Sequence, residues 1–310
     1  MAEPPAERNF SDRSMLHSSL KLRRDYAAEI MRLAGVADPR VEAAYAAVPR
    51  EDFSGPPPWR VSGGLFNRGG GERDVAALYD DVLVAIDARR GINNGQPSLH
   101  ARCLAGLALH GGETVLHIGA GAGYYTAILA HLVGPAGRVV AYEIEPDIAD
   151  RARKNLAGFP KVELRAASGV ASDLPKADAI YVNAAASHPL RAWLDALKPA
   201  GRLMFPLQSA NSSGAMLEIV RPRQDDDEGS DGASDGGSEE RRGAWPARFL
   251  CGVVFIPCEG AQDARLGRRL EAAFQRGGAE RVRWLTFGLA AAEDVWLQGD
   301  GWALTTAGAP

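Results

Sequence analysis

The sequence predicts an α/β protein built on a doubly wound, mostly parallel, seven-stranded sheet, with helices before it and a small extension after it. Three observations carry that expectation. From residue 114 onward, apolar strand-like runs alternate with segments of helical periodicity. The first run opens into three closely spaced glycines and then a helix. The intervals between successive runs suit right-handed crossovers, which place neighbouring strands parallel.

The elements follow in order. Leu16, Leu20, Tyr26, Ile30 and Leu33 recur at helical spacing between residues 15 and 33, and Gly35 closes that helix. Asp38-Pro39 begins a second, whose face is Val41, Ala44, Tyr45 and Val48, and Pro49 ends it. Residues 54–74 are rich in glycine and proline and predict an irregular surface loop, pinned by Trp59 and Phe66. LYDDVLVAI (78–86) reads as a strand and DARRGINNG (87–95) as turn chemistry, before a helix over 98–109 with Leu99, Cys103 and Leu107 on its apolar side. Strands are predicted at 114–119, 138–145, 162–167, 177–185, 201–207, 215–222 and 249–257, with helices at 123–133, 148–156, 190–197 and 264–274. VWLQGDGWALT (295–305) predicts two short strands about a Gly-Asp-Gly turn.

Composition narrows the class. With 46% hydrophobic and 24% charged residues in 310, the chain has ordinary globular proportions. No apolar run of about 18 residues and no secretory signal stand out, so no membrane span is expected and a cytoplasmic location follows by default. Cys103, Cys251 and Cys258 are too scattered for a disulfide framework or a metal site and are expected to be buried free thiols. The formal charge of −4 conceals an uneven distribution, because residues 225–240 (DDDEGSDGASDGGSEE) hold eight acidic and no basic side chains, leaving the remainder at +4. That strip predicts a disordered hairpin insertion. Such a mildly basic body gives no reason to expect a nucleic-acid partner. The expected organisation is 1–77 helices and loop, 78–222 core, 223–244 acidic insertion, and 245–310 last core strand and extension; a monomer is expected.

The strongest constellation is VLHIGAGAGY (115–124), in which a buried strand meets Gly119, Gly121 and Gly123 and then a helix. Glycines there let the backbone turn sharply and approach a ligand, while the helix N-terminus offers unpaired N–H groups. Glu143 ends the next strand, 20 residues after Gly123, where a carboxylate accepts hydrogen bonds from ribose hydroxyls. A dinucleotide site wants Gly or Ala three residues after its second glycine, and Tyr124 stands there instead. The alternative is a purely structural strand-to-helix turn.

VLHIGAGAGYYTAILAHLV resembles the S-adenosylmethionine loop of protein-L-isoaspartate O-methyltransferases, which are class I methyltransferases. RVEAAYAAVPREDF (40–53), LYDD (78–81), QPSLHA (96–101), and DAIYVNAAA with LKPAGRLMFPL (178–207) agree in the same order. The resemblance implies a Rossmann-like methyltransferase sheet, S-adenosyl-L-methionine as cofactor, and isoaspartyl peptides or proteins as partners. It implies methylation of the isomerised aspartyl carboxylate, whose ester collapses to a succinimide and reopens as normal aspartate, a protein repair. By position, Gly119, Gly121 and Gly123 would hold the methionine part of the cofactor and Glu143 its ribose.

Three departures accompany the likeness. His117 stands where the family usually has an acidic residue, and it either hydrogen-bonds the cofactor or is a buried structural histidine. Ser168-Gly169 replaces an aspartate-glycine near the adenine. In the acceptor loop, Gly-Ile-Asn-Asn-Gly-Gln-Pro (91–97) puts Gly95 in place of an active-site serine if aligned from Pro97, or Asn93 if aligned from Ile92. Asn93 and Asn94 offer amide donors for a carboxylate, and Gln96 and His100 match the family in kind; the same run also reads as a mere turn. Two other functions stay open: transfer to a different carboxylate or small molecule, and cofactor binding without turnover. Nucleic-acid methylation is disfavoured because Asn183-Ala-Ala-Ala follows the fourth strand, with nothing large enough to stack a flipped base. The tryptophans Trp284, Trp296 and Trp302 are expected to pack the extension.

Overall fold

The computed structural model describes residues 8–63, 71–171, 173–210, 212–223, 243–288 and 291–307. The acidic strip at 225–240 and Phe66 lie outside them. The chain begins with α1 (Arg8–Ala34), α2 (Pro39–Ala47) and α3 (Glu51–Ser54). Asp38 caps α2 by accepting the Arg40 N–H at 2.9 Å, and Pro39 sits in the first turn. The buried face of α1 is Tyr26, Ala27, Ile30, Met31 and Ala34, whereas Leu20 and Leu33, expected inside, are exposed. Small alanines admit the close approach of α2, and the leucines are left on the outer edge.

Within the predicted loop at 54–74, Trp59 anchors a strand, β1 (Trp59–Ser62), which pairs antiparallel with β2 (Gly71–Glu72) and β3 (Leu83–Asp87). Its alternation of buried Trp59 and Val61 with exposed neighbours is short, which hid it among the glycines and prolines. The 78–86 run divides into a 3-10 turn (Val75–Leu78) and β3, which pairs with β4 (Ile92–Asn93) as a hairpin. Helix α4 (Pro97–Leu107) follows.

The main sheet contains β5 (Thr114–Ile118), β6 (Arg138–Glu143), β7 (Val162–Ala166), β8 (Ala177–Val182), β9 (Leu197–Leu207), β10 (Gly214–Val220), β11 (Gly243–Val253), β12 (Trp284–Phe287), β13 (Val295–Gln298) and β14 (Trp302–Thr305). Its order is β13-β14-β12-β11-β10-β9-β8-β5-β6-β7. The pairs from β9 through β8, β5 and β6 to β7 are parallel, and those from β9 outward to β13 are antiparallel. The seven predicted strands are therefore present, and the C-terminal extension adds three to the same sheet. Of these, β13 and β14 were marked in the sequence by the Gly-Asp-Gly turn between them, whereas β12, equally short, has no such turn and does not alternate.

Helices α5 (Tyr124–Val133), α6 (Pro146–Asn155), α7 (Arg191–Ala196) and α8 (Ala264–Arg276) complete the fold. Along β5, Val115 faces the core shared with α1, α2, α4 and α5, while Leu116 and Ile118 face the one holding Trp193, α8 and the C-terminal strands. Covering on both faces makes each central strand a nearly continuous apolar run. Trp296 and Trp302 are buried and Trp284 half-buried in the extension, so these rings pack it together.

Candidate active site

β5 and β8 are the central pair from which the chain winds in opposite directions, and ligands of such sheets lie beyond the carboxyl ends of the strands at that point. A cavity of about 790 Å³ opens there. One wall is the turn after β5, with Gly119, Ala120, Gly121 and Ala122, and the opposite wall includes Asn93, Asn94, Gly95, Gln96 and His100. Two stretches on which the sequence placed different tasks thus face one space. The hydrophobic remainder comprises Phe53, Leu83, Ile86, Leu99, Tyr124, Tyr125 and the segment 253–256.

Gly119 shows why glycine is required. Its φ is +78°, and a Cβ would meet the Asn183 carbonyl carbon at 3.3 Å. Its N–H and that of Ala120 donate to the Tyr142 carbonyl at 2.9 and 3.0 Å, which clamps the turn onto β6. Glu143 reaches back under the loop, its carboxylate accepting the N–H groups of Gly121 at 2.7 Å and Glu145 at 3.0 Å. Burial raises its pKa. A carboxylate has about four acceptor sites, more than these backbone donors use.

His117, Gly123, Glu143, Ser168 and Gly169 are not among the residues that line this cavity. Gly123 starts α5 with φ +95° against Leu156. Ser168 accepts the Val170 N–H at 3.4 Å, and the Gly169 carbonyl accepts the Trp193 indole N–H at 2.8 Å. His117 is fully buried, with Nδ1 2.8 Å from Thr126 Oγ1 and Nε2 2.8 Å from Asn183 Nδ2. Desolvation lowers its pKa to about 3, so the ring is neutral at ordinary pH.

The acceptor wall is held by contacts distant in sequence. The Arg50 guanidinium is fully buried and donates to the carbonyls of Leu78, Asp80 and Val82, fixing the segment that carries Asp81. The Asp81 carboxylate then caps α4 from outside, accepting the Ser98 N–H at 2.8 Å, its hydroxyl at 2.6 Å and the Gln96 amide at 2.7 Å. The Asn94 carbonyl oxygen Oδ1 accepts the Val84 N–H at 2.8 Å, and Asn93 Oδ1 that of Gly95 at 2.9 Å. Asn93 and Asn94 thus form the loop as well as line the cavity.

Gly95 has φ +75°, and a Cβ there would overlap Nε2 of His100. The imidazole therefore occupies the space a side chain at 95 would fill. Its Nδ1 lies 2.6 Å from the Tyr181 hydroxyl, its face stacks on Tyr125 at 3.7 Å, and Nε2 has no partner. Burial holds its pKa well below the usual histidine value, so this ring is neutral too. Tyr124, which the sequence marked only as a departure from a dinucleotide site, and Tyr125 both reach the cavity; burial raises their pKa values and they stay protonated. Asn183 was likewise missed as a wall residue, although its place just after β8 beside the glycine turn was the available signal.

The parallel part of the sheet from β9 to β7, the glycine turn at its switch point and the acid ending the next strand define a class I S-adenosylmethionine-dependent methyltransferase. A family model described as protein-L-isoaspartate(D-aspartate) O-methyltransferase matches residues 72–231. A protein-L-isoaspartate O-methyltransferase from Anaeromyxobacter dehalogenans is 35% identical over 223 residues, covering 70% of this chain and 90% of that one. One from Rhodopseudomonas palustris is 36% identical over 196 residues, 62% and 71% of the two chains. Among solved structures, a protein-L-isoaspartate O-methyltransferase superposes with TM-score 0.59 at 21% identity, over 86% of this chain and 72% of the other. A Plasmodium falciparum structure named for the same activity, in complex with S-adenosyl-L-homocysteine, gives TM-score 0.56 at 18% identity, over 76% and 98%. These two show the shared fold. The chain belongs to the protein-L-isoaspartate(D-aspartate) O-methyltransferase family; it is an enzyme, and S-adenosyl-L-methionine is its methyl donor.

Among the described residues no helix is long and apolar enough to cross a membrane. The three cysteines are free thiols; Cys103 and Cys258 are buried as expected, whereas Cys251, near the end of β11, is half-buried.

Proposed function

We propose that methyl transfer to the free carboxylate of an isomerised aspartyl residue takes place in the cavity between the glycine turn and the Asn93–Gln96 loop. The observation that carries this reading is that both loops line one space whose described walls contain no Asp, Glu, Lys or Arg. Bound S-adenosylmethionine would supply a sulfonium methyl to the substrate carboxylate, the C–S electron pair passing to sulfur. Opposite charges are consumed in that step, so walls without competing ions and with little water favour it over the solvated reactants. No general base is required, in keeping with neutral His100 and protonated Tyr124 and Tyr125.

Gly119 and Gly121 would admit the methionine part, and the Glu143 carboxylate would take the ribose; Gly123 orients α5, and Ser168 and Gly169 would flank the adenine end. His117 acts from behind the wall. On the other side, Asn93, Asn94, Gln96 and the neutral His100 position the peptide carboxylate, which is the main task left when the nucleophile is already ionised. Gly95 supplies room for the His100 ring instead of a hydroxyl. We place the enzyme in the cytoplasm as a monomer, the free thiols suiting a reducing compartment.

The test is transfer of radiolabelled methyl from S-adenosylmethionine to a synthetic isoaspartyl peptide beside its normal-aspartyl twin. Base-labile label on the isoaspartyl peptide alone is the expected result. Cofactor binding without label on either peptide would overturn the acceptor assignment.

A further inference from the structure

His100, Cys103 and Leu107 share one buried face of α4, the helix that follows the acceptor loop. The end of β11 packs against that face in an irregular way. Gly252 pairs with Ala215 and Phe249 with Leu217, so Leu250 and Cys251 together oppose the single residue Met216. Such a bulge breaks the alternation of a strand and re-aims its side chains. Phe249 accordingly stacks on Trp296 in the far core, whereas Leu250 and Cys251 both pack on the core that holds Cys103, Leu104 and Met216. The helix comes close at this point, since a Cβ on Gly106 would meet Leu250 Cδ2 at 2.9 Å.

The bulge brings the free thiols of Cys103 and Cys251 into hydrogen-bond contact with each other. Their surroundings differ. Cys251 is half-buried, and the Cys103 thiol together with the nearby Arg102 guanidinium holds it below the usual thiol range. Arg102 is itself fixed, its Nε donating to the Ala34 carbonyl at 3.0 Å. Cys103 is fully buried, and the contact with Cys251 and the burial both push its thiol up. One sulfur is thus partly open and inclined to ionise, while its neighbour keeps its proton. Cys103 also touches the Tyr181 hydroxyl, which lies 2.6 Å from His100 Nδ1.

We propose that Cys103 and Cys251 form an oxidation site, which hydrogen peroxide closes to a disulfide that disables the acceptor wall. The Cys251 thiolate attacks one peroxide oxygen, the O–O bond breaks and hydroxide leaves, giving a sulfenic acid. The Cys103 sulfur then attacks the Cys251 sulfur, and the sulfenic oxygen departs as water with the Cys103 proton. The two thiols lose two electrons in all, and the peroxide takes them up. Bonded sulfurs lie about 2.05 Å apart, far closer than two thiols in contact, so closure draws α4 and β11 together. That pull acts on His100, one turn earlier in α4, and on Gly252 and Val253, which follow Cys251 in the cavity wall. The glycine turn, carried by β5 and α5, is left alone. Bond formation stands on the thiol geometry by itself; its effect on methyl transfer rests on the acceptor reading given above.

The test treats the full chain with hydrogen peroxide, maps its peptides by mass spectrometry without reduction, and measures methyl transfer and S-adenosylhomocysteine affinity before and after. A Cys103–Cys251 linked peptide is expected. Transfer to an isoaspartyl peptide should fall at least about tenfold in kcat/KM and return with dithiothreitol. Affinity for S-adenosylhomocysteine should stay within about threefold. Cys251→Ser and Cys103→Ala should each abolish the reversible loss, and Cys258→Ser should keep it, since that thiol lies elsewhere and burial pushes it up to about 11. Oxidation of Cys251 without the linked peptide would overturn the proposal, as would a linked protein of undiminished activity or a reversible loss that persists in Cys251→Ser. A protein that transfers no methyl even before oxidation would sink the acceptor reading instead, and the linked peptide would still decide whether the thiols pair.

Discussion

The glycine-turn wall and the acceptor wall face each other across one cavity, yet their supports differ. The first is nearly continuous in sequence: β5, the turn and α5 are consecutive, and Glu143 returns from the next strand. The second is assembled from Arg50, the 78–82 segment, the β3–β4 hairpin and the start of α4, joined by contacts such as Arg50 to Val82 and Asp81 to Ser98. A wall built from neighbours is specified by local backbone requirements, whereas one built from distant segments depends on which side chain fills which gap.

The sharpest way to separate the walls is Gly95→Ser. The change forces a side chain onto a left-handed residue and into the volume of the His100 ring. Activity toward an isoaspartyl peptide should fall about 100-fold in kcat/KM, corresponding to ~3 kcal/mol, as the ring is displaced. Affinity for S-adenosylhomocysteine should change by less than about threefold, since the glycine turn is untouched. Gly95→Ser with His100→Ala should recover part of the loss. A fully active single variant would show that His100 does not fill that place in solution.

That contrast also accounts for what the sequence revealed. Gly119, Gly121, Gly123 and Glu143 were legible because the turn, the helix start and the strand-end acid have fixed spacings. The family stretches at 40–53 and 78–81 were recognisable as words, but nothing local said that Arg50 in one holds the carbonyls of the other. The pairing of Gly95 with His100 was equally hidden, because one missing Cβ matters only once α4 and the loop are folded together. β1 escaped because four residues of alternation hardly differ from chance, and β12 because it does not alternate and has no turn like the Gly-Asp-Gly that marked the equally short β13 and β14.

A second, smaller effect distinguishes the walls by pH. His117, behind the glycine turn, titrates near 3 in the folded protein and near 6.5 when unfolded. Its folded pKa is depressed, so between those values the unfolded chain binds the additional proton and stability rises with pH. The contribution is complete above about pH 6.5 and is lost as pH falls toward 3, amounting to roughly 2 kcal/mol between pH 6.5 and 5. His100 is shifted in the same direction and adds to the slope. Denaturant unfolding from pH 7 to 5 should show this loss, and His117→Gln should remove about one proton from the uptake on unfolding near pH 5. An unchanged slope in that variant would mean His117 is solvated and the glycine-turn wall looser than its contacts indicate.

The smallest expected effect lies where the two walls are tied together. Arg90, at the tip of the β3–β4 hairpin, pairs with Asp87 at 2.8 Å on its own hairpin and with Glu145 and Asp147 at 2.5 Å, just beyond Glu143. The same hairpin lays Ile86 against Gly121, where an added Cβ would lie 3.1 Å from its Cδ1. A cofactor seated against the turn is therefore expected to disturb, on leaving, a hairpin that these ion pairs hold down. Exposed ion pairs are weak singly and screened by salt, so Arg90→Ala should speed S-adenosylhomocysteine release only about threefold at low ionic strength. The difference should vanish near 0.5 M salt, where the Debye length of roughly 4 Å leaves little attraction to lose. Stopped-flow displacement at two salt concentrations measures both. A release rate indifferent to the substitution at low salt would mean the walls are joined by packing alone, with Ile86 and the Arg151 contacts to the Phe53 and Ile86 carbonyls as the connection.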